Sequence, residues 1–231
     1  MATGFVLGSA RRKRNAKLKL GEGLGVVKVL GRKTSINVQK VMWLSAEIGL
    51  DVERVDIGGP FGGNDTPEYL VKNPNGLVPT MEDGDFVLWE SQAICRYLAE
   101  KYATPPWAPE DAVGRALAGQ WMDWYITKLH APMTVIFWAL IRTAPEDRDM
   151  NAVNAAVAQA SELWTMLDAQ LAGSDFILGD TPTLADIPAG CSVNRWYTMD
   201  LERPSLPNLE AWHARLKDRP AYQEHVMMPL V

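Results

Sequence analysis

The sequence has very few cysteines and no metal-binding motif. Only two cysteines occur in 231 residues, Cys95 and Cys191, and they form no CxxC pair, which excludes a disulfide scaffold and a dithiol redox motif. The three histidines show no ligand spacing, and neither an HExxH motif nor paired cysteines are present, so the common zinc-site patterns are missing. We therefore predict a protein of the reducing cytoplasm that needs no metal.

An excess of positive charge and a long apolar run near the N-terminus are also missing. The net charge of −5 argues against nucleic acid or an anionic membrane as the main partner. No apolar segment follows Arg11 and Arg12, so no secretory or twin-arginine signal is indicated. Residues 1–25 contain a basic run and are predicted to form a disordered extension. An anion-binding arm is the alternative for this run.

The segment 73–97, NPNGLVPTMEDGDFVLWESQAICRY, contains several structural signals in a short space. Two apolar runs, Leu77–Met81 and Phe86–Leu88, flank the turn residues Glu82–Asp85, which predicts a β-hairpin. Ser91 is a good helix N-cap and is followed by apolar residues at helical spacing. The segment therefore predicts two strands and the start of a helix.

Pro79 lies inside the first apolar run, where it cannot donate a hydrogen bond to a sheet. We interpret it as a cis-proline that presents the backbone N–H and C=O of Val78 to a peptide-like ligand. Glu90 and Ser91, at the following helix N-terminus, suit the ammonium and carboxylate groups of an α-amino acid. An edge strand before a capped helix explains the same residues, and spacing alone favours that simpler interpretation.

The order of elements before residue 104 is that of a thioredoxin-like domain. Val26–Leu30 and Val52–Ile57 are predicted strands, Asn37–Gly49 is a predicted helix, and Thr66 with Pro67 begins a short helix before the hairpin. A βαβ unit followed by ββα results. The glycines of the intervening loop are not followed by Gly-Lys-Ser/Thr, which argues against a phosphate-binding loop.

Helical periodicity dominates after a proline-rich linker at 104–110. One long helix is expected to bend or break at Pro132 and to contain a cluster of five aromatic residues, Trp121, Trp124, Tyr125, Phe137 and Trp138. The segment Asn151–Leu171 predicts another long helix. Thr183 and Asp186 have the spacing of a capping box, with Asp186 reaching back to the Thr183 N–H.

Four segments together resemble the cytosolic glutathione S-transferase superfamily: NPNG-LVP, WES-AI-RYL, TLADI and LPNLEAWHARLKDRPAY. The resemblance covers roughly Val26 to Val226. It implies an α/β plus all-α architecture, with a thioredoxin-like glutathione-binding domain at 26–103, the linker at 104–110 and an all-helical domain at 111–231. It further implies that the backbone of glutathione is held by Val78, Glu90 and Ser91, with Asn75.

The loop 31–37, GRKTSIN, joins the first strand to the first helix and contains no cysteine. In serine-type members of the superfamily a hydroxyl at this place donates a hydrogen bond to the glutathione sulfur, and in nu-like bacterial members a Thr/Ser-x-Asn pair shares that task. Ser35 and Asn37 match the spacing, so the resemblance makes Ser35 the first candidate, with Asn37 sharing the role. Ordinary helix capping remains the alternative for both residues, and Asn37 fits it well.

Three residues of the long helix are candidates for the wall of the electrophile pocket. The resemblance implies that the middle of that helix faces the first domain across this pocket. The three residues are Trp124, Tyr125 and His130. An aromatic stripe at helical spacing is usually core, and a capping or surface position is the alternative for His130.

The function that the resemblance implies is transfer of the glutathione thiolate to a hydrophobic electrophile, by a homodimer that uses glutathione as co-substrate. Two alternatives stay open at this point. A nu-like Ser-x-Asn pair would favour a glutathione-dependent disulfide reductase. A chain that does not bind glutathione would be a non-enzymatic interaction protein with the same fold.

Overall fold

A four-stranded mixed sheet forms the centre of the N-terminal half in the computed structural model, which describes residues 26–231. The strand order is β2-β1-β3-β4; β1 is parallel to β2 and antiparallel to β3, and β4 is antiparallel to β3. The strands are Val27–Leu30, Val52–Val55, Thr80–Asp83 and Phe86–Trp89 (β1 to β4), and the helices are Ile36–Glu47, Pro67–Lys72 and Ser91–Tyr102 (α1 to α3). The thioredoxin-like prediction is confirmed. The extension predicted for residues 1–25 lies outside the described part of the chain.

The hairpin is present, but its first strand begins later than predicted. β3 starts at Thr80 because Pro79 has no N–H with which to pair. The strand continues through Asp83, and the turn consists of Gly84 and Asp85. An aspartate is accepted in the strand because its carboxylate receives hydrogen bonds from the hydroxyls of Tyr97 and Tyr102 and from the Lys101 ammonium, at 2.7, 2.7 and 2.6 Å.

Two predicted helix caps are wrong by one or two residues. α1 begins at Ile36 with Ser35 as its N-cap, so Asn37 lies within the first turn, where its side chain is held by Lys40. α3 begins at Ser91, and its N-cap is Glu90. In the described residues Glu90 is the only non-glycine residue with a positive φ, 73°. The third predicted cap, Thr66, is confirmed by its hydrogen bond from the Tyr69 N–H.

The C-terminal half is helical, as predicted. Its helices are Ala112–Trp124, His130–Phe137, Met150–Gln170, Asp186–Thr198, Pro207–Lys217 and Pro220–His225 (α4 to α9). Among residues 26–231 no helix combines the length and the hydrophobicity needed to cross a bilayer. The residue limits proposed for the two domains stay a prediction.

The long aromatic helix is interrupted by a π-helical turn at Tyr125–Leu129 and not at Pro132. The N–H of His130 bonds the carbonyl of Tyr125, five residues back. Pro132 lies within α5, three residues after the end of this turn, and the helix continues through it to Phe137 without a break. A second π-helical turn, Trp138–Arg142, follows α5.

α7 is the central helix, and it connects the two halves of the molecule. Its residues from Asp186 to Trp196 are all buried. Asp186 accepts the Thr183 N–H at 2.8 Å, which confirms the predicted reach-back contact. A Cβ on Gly190 would lie 2.7 Å from the Trp43 ring, so only glycine lets α1 pack this closely on α7. This packing brings the loop after β1 against α5 and α7, where the cleft described below lies.

Candidate active site

Two neighbouring cavities lie beside the start of α1, and the larger of them is where the N-terminal half meets the helical half. The smaller, of about 40 Å³, is lined by residues of the NPNG turn and by the start of α3. The larger, of about 390 Å³, lies between the loop after β1 and helices α5 and α7. Asn37, Leu77 and Val78 line both cavities, so the two cavities share a wall and form one elongated site.

The smaller cavity gathers four of the predicted binding residues: Asn75, Val78, Glu90 and Ser91. Glu90 is exposed and its side chain makes no capping hydrogen bond. Ser91 is buried, with its hydroxyl 3.5 Å from the Asn37 amide oxygen. A carboxylate therefore stands next to a hydroxyl at the N-terminus of α3, which suits an ammonium group beside a carboxylate.

Val78 offers backbone hydrogen-bonding groups to this site. The Val78–Pro79 peptide bond is cis, as predicted. β3 begins after this pair, and within residues 26–231 no backbone hydrogen bond of Val78 is found. Since backbone polar groups in a folded protein normally have partners, this N–H and C=O are available to a peptide-like ligand.

The NPNG turn is held in place by a network centred on Asn73. The Asn73 side-chain amide donates to the Leu77 carbonyl at 2.8 Å and to the Thr80 hydroxyl at 3.2 Å. Its oxygen accepts from the backbone and side chain of Asn75, at 3.1 and 3.0 Å. The Tyr69 hydroxyl donates to the same Leu77 carbonyl at 2.6 Å. This network fixes the chain that leads into Val78.

Ser35 lies at the N-terminus of α1 and lines the larger cavity. Although it occupies the N-cap position, its hydroxyl makes no capping hydrogen bond. An N-cap serine normally uses its oxygen to bond the backbone of the first turn, so this hydroxyl is free to serve a ligand. The positive end of the α1 dipole favours an anion at the same place.

Asn37 lies between the two cavities, and its amide is oriented by a buried lysine. Lys40 donates to the Asn37 amide oxygen at 2.9 Å, while the Lys40 ammonium lies 4.4 Å from the centre of the Tyr125 ring. Lys40 is fully buried, and burial lowers the pKa of its ammonium to about 8. With its oxygen occupied, the Asn37 amide has its NH₂ group left to donate to a ligand.

Of the three predicted residues from the long helix, two line the larger cavity. Tyr125 is buried and its hydroxyl lies 3.2 Å from Nδ1 of His130. Burial lowers the pKa of His130 to about 4, with Lys40 adding to the shift, so this imidazole is neutral at pH 7. Trp124 lines neither cavity; its ring packs 5.1 Å from that of Trp121.

Sequence reasoning missed most of the wall of the larger cavity. The missed residues include three apolar side chains, Met133, Phe137 and Trp138, and three arginines, Arg32, Arg142 and Arg195. One signal was available, because Arg195 is a single cation in the otherwise uncharged run Ile187–Trp196. A charge in a buried helix usually has a partner or a function. The other residues carry no such mark, since each belongs to a segment of ordinary composition.

The structure contains no group of metal-ligating side chains within residues 26–231. Cys95 and Cys191 are unpaired and buried, and burial raises the pKa of each thiol to about 12. Reactive cysteines are accessible and have lowered pKa values. Neither cysteine therefore has the properties of a nucleophile, and the polar side chains that line the larger cavity carry hydroxyl, amide, imidazole and guanidinium groups.

Comparison with known proteins identifies the family. Residues 25–100 match the model of the glutathione S-transferase N-terminal domain, and residues 150–215 match that of the glutathione S-transferase C-terminal domain. Glutathione S-transferase GstB of Escherichia coli K12 is 36% identical over 207 residues, which are 89% of this chain and all of the relative. Glutathione S-transferase D7 of Drosophila melanogaster is 33% identical over 186 residues, 78% of each chain.

A similar solved structure is that of the theta class glutathione S-transferase from Xanthomonas axonopodis pv. citri with glutathione bound. It is 44% identical, superimposes with a TM-score of 0.86, and is matched over 89% of this chain and 99% of that protein. The agreement extends over both halves of the molecule. The chain belongs to the glutathione S-transferase family.

Proposed function

We propose that this chain is a glutathione transferase that joins the glutathione thiolate to an electrophile. The observation that carries the proposal is the shared wall of the two cavities at Asn37 and Val78. A γ-glutamyl group held by Glu90 and Ser91 places the next residue of glutathione, its cysteine, against the backbone of Val78. The sulfur then lies toward Ser35 and the larger cavity, which accepts the second substrate.

Thiol activation requires only groups that this site contains. Lowering the pKa of a thiol from about 8.5 to about 6.5 requires roughly 2.7 kcal/mol. One hydrogen bond to the thiolate, from the Ser35 hydroxyl or the Asn37 amide, supplies about 1.5 to 3 kcal/mol. The N-terminus of α1 adds about 0.3 to 1 kcal/mol. Positioning of the two reactants supplies the rest of the catalysis, so no metal is required.

Conjugation is favoured over the two alternatives because the relatives named above are glutathione S-transferases, and this chain matches most of the length of each. Reduction of a glutathione disulfide would need room for a second glutathione and transfer of the sulfur to another thiol. No observation at this site favours that reaction. A non-enzymatic role would leave the uncapped hydroxyl of Ser35 and the free backbone of Val78 unexplained.

Calorimetry with reduced and oxidised glutathione, together with a conjugation assay, tests the proposal. We expect reduced glutathione to bind with one site per chain and the protein to accelerate its reaction with a small electrophile. Absence of binding to either form would contradict both enzyme functions. Binding and turnover of oxidised glutathione without any conjugation would replace the transferase by the disulfide reductase.

We further propose a homodimer that works in the cytoplasm. Three of the four apolar side chains of β4 are exposed in one chain, those of Phe86, Val87 and Trp89, and a partner subunit would cover them. The two unpaired thiols fit a reducing compartment. Light scattering tests the homodimer. We expect twice the chain mass of 25.6 kDa, and a stable monomer at micromolar concentration would contradict the proposal.

A further inference from the structure

The larger cavity is positively charged although the protein as a whole is acidic. Arg32 follows β1, Arg142 ends the second π-helical turn, and Arg195 lies on α7; all three line this cavity. No aspartate or glutamate is among its lining residues, whereas the net charge of the chain is −5. His130 is neutral here, so the charge of the cavity is that of the three guanidinium groups.

These arginines have no carboxylate partner among residues 26–231. Arg195 is only 9% exposed, and its Nε is buried without a hydrogen-bond partner. Its Nη2 donates to the Thr34 carbonyl at 3.2 Å, and its guanidinium lies 4.0 Å over the Phe137 ring. The Nε of Arg32 is also buried without a partner. A buried donor of this kind normally has an acceptor, so an acceptor from a ligand is indicated.

The three charges also repel one another. The pKa of Arg195 is lowered to about 10, chiefly by burial, and the nearby Arg142 and Arg32 contribute to this shift. The pKa of Arg32 is likewise lowered by burial and by Arg142. Like charges held together in a partly desolvated site are costly unless an anion joins them. The geometry is therefore that of an anion site.

Glutathione itself accounts for one of the three cations. Its glycine end carries one carboxylate. Arg32 belongs to the same half of the molecule as Val78 and packs on the neighbouring loop, since a Cβ on Gly59 would lie 2.9 Å from the Arg32 Cδ. Arg32 can thus pair with this carboxylate. Arg142 and Arg195 come from the helical half, with their guanidinium groups 5.8 and 4.0 Å from the centre of the Phe137 ring, and are left for the second substrate.

We propose that the second substrate is an electrophile that carries a carboxylate or a comparable anionic group, bound by Arg142 and Arg195 beside Phe137. This inference rests on the transferase function proposed above and specifies its substrate class. It modifies the expectation of a purely hydrophobic electrophile, because the apolar side chains Met133, Phe137 and Trp138 form only part of the wall.

Iodoacetate and iodoacetamide form a matched pair of probes that differ in one charge. In both reactions the thiolate sulfur forms a bond to the methylene carbon as the carbon–iodine bond breaks, and iodide leaves with the bonding electrons. The thiol proton has passed to solvent beforehand. In water the negative charge of iodoacetate repels the thiolate, and a site that neutralises the carboxylate removes this repulsion.

The experiment measures the rate with each reagent at saturating glutathione and divides it by the uncatalysed rate in the same buffer. We expect the acceleration of iodoacetate to exceed that of iodoacetamide at least tenfold in the wild-type protein. Arg142 is exposed at the cavity mouth, so Arg142→Met is not expected to affect folding. This variant should lower the preference for iodoacetate about tenfold. Arg115→Met removes the same charge from the exposed start of α4 and should leave the preference unchanged.

Equal acceleration of both reagents by the wild-type protein would overturn the anionic-substrate inference and leave the transferase function intact. The same conclusion follows if Arg142→Met and Arg115→Met retain the wild-type preference. Failure of the wild-type protein to bind glutathione in calorimetry would overturn the proposed function itself, and the inference with it. The rate comparison therefore tests the anionic-substrate inference, and calorimetry separately tests the proposed function.

Discussion

Ser35 and Asn37 are two residues apart at the start of α1, but their surroundings differ. The hydroxyl of Ser35 has no capping role, whereas the Asn37 amide oxygen is the partner of a buried ammonium. Ser35→Ala should therefore raise the kinetic pKa of bound glutathione and lower turnover, with little change in melting temperature. Asn37→Ala should cost about 1 to 3 kcal/mol of stability, because it leaves Lys40 without its acceptor. pH–rate profiles and urea unfolding of both variants measure these effects. Unchanged activity of Ser35→Ala would remove this serine from catalysis.

Glu90 holds a backbone conformation that is unfavourable for a residue with a side chain. Its φ of 73° costs of the order of 1 to 3 kcal/mol, and its exposed carboxylate makes no capping bond in return. We expect Glu90→Gln to weaken glutathione binding tenfold or more at unchanged stability, because the charge that pairs with the ammonium is lost. Glu90→Gly should weaken binding as well but raise stability, since glycine accepts a positive φ. Calorimetry and thermal melts separate the two effects, and wild-type affinity in both variants would make Glu90 a structural residue.

Lys40 allows a test of pH dependence. Burial lowers the pKa of its ammonium from 10.5 to about 8 in the folded protein. Below about pH 8 the folded and unfolded chains both carry the charge, and its burial destabilises the fold in full. As the pH rises from about 8 to 10.5 the folded chain loses the proton first, so this cost disappears. Lys40→Met should therefore be more stable than the wild type at pH 7, by on the order of 3 kcal/mol at most, and the difference should shrink toward pH 10.5.

Urea unfolding of the wild-type protein and Lys40→Met at the same pH values gives this difference directly. The neighbouring Cys95 and Cys191 also titrate in the alkaline range after unfolding, but they are present in both proteins and cancel. A difference that does not vary between pH 7 and pH 10 would show that Lys40 keeps its proton in the folded chain over this range, and that burial does not lower its pKa.

At the scale of elements, α7 begins with a buried carboxylate that joins three parts of the helical half. Asp186 accepts hydrogen bonds from the N–H groups of Thr183 and Ile177 and from Nε1 of Trp212, at 2.8, 3.1 and 3.0 Å. Asp186→Ala leaves three buried donors without an acceptor, each at about 1 to 3 kcal/mol. We expect a loss of more than about 3 kcal/mol in urea unfolding. A cost near 1 kcal/mol would reduce the role of Asp186 to that of an ordinary cap.

The order of strands and helices could be predicted because it depends on local patterns. Apolar spacing, turn residues and caps indicated every strand and most helices to within a few residues. The errors occur where tertiary contacts decide. β3 includes Asp83 because Tyr97, Tyr102 and Lys101 surround its carboxylate, and these contacts are made across the fold.

The candidate site could be predicted only in part for the same reason. Ser35, Val78 and Ser91 lie in short motifs whose resemblance to the family is visible in the sequence. The arginines of the larger cavity come from three distant segments, and their convergence depends on how α5 and α7 meet the loop after β1. Trp124 was assigned to the pocket from its position in the helix, but the π-helical turn begins just after it and the pocket wall starts at Tyr125.

At the scale of the whole molecule, Gly190 of α7 and Trp43 of α1 are in close contact where the two halves meet. A Cβ on Gly190 would also lie 3.2 Å from the Leu216 side chain. Gly190→Ala should therefore lower stability by about 1 to 2 kcal/mol, because overpacking outweighs the higher helix propensity of alanine. Gly119→Ala is the matched control, since nothing lies within 4 Å of the added methyl group in α4. It should raise stability by about 1 kcal/mol. Thermal melts compare the two variants, and equal shifts in melting temperature would contradict tight packing around Gly190.

The last helix of the chain completes the first domain. Tyr222 of α9 packs edge-on against the Trp43 ring of α1 at 4.9 Å, and Nε of Arg219 donates to the Glu47 carboxylate at 2.7 Å. During synthesis the N-terminal segment leaves the ribosome long before residues 219–225, so its core cannot close until these residues have also been made. The glutathione site should therefore mature only after α9 has left the ribosome. A nascent chain that lacks α9 should remain protease-sensitive around α1, although every residue of the proposed glutathione cavity has already been made.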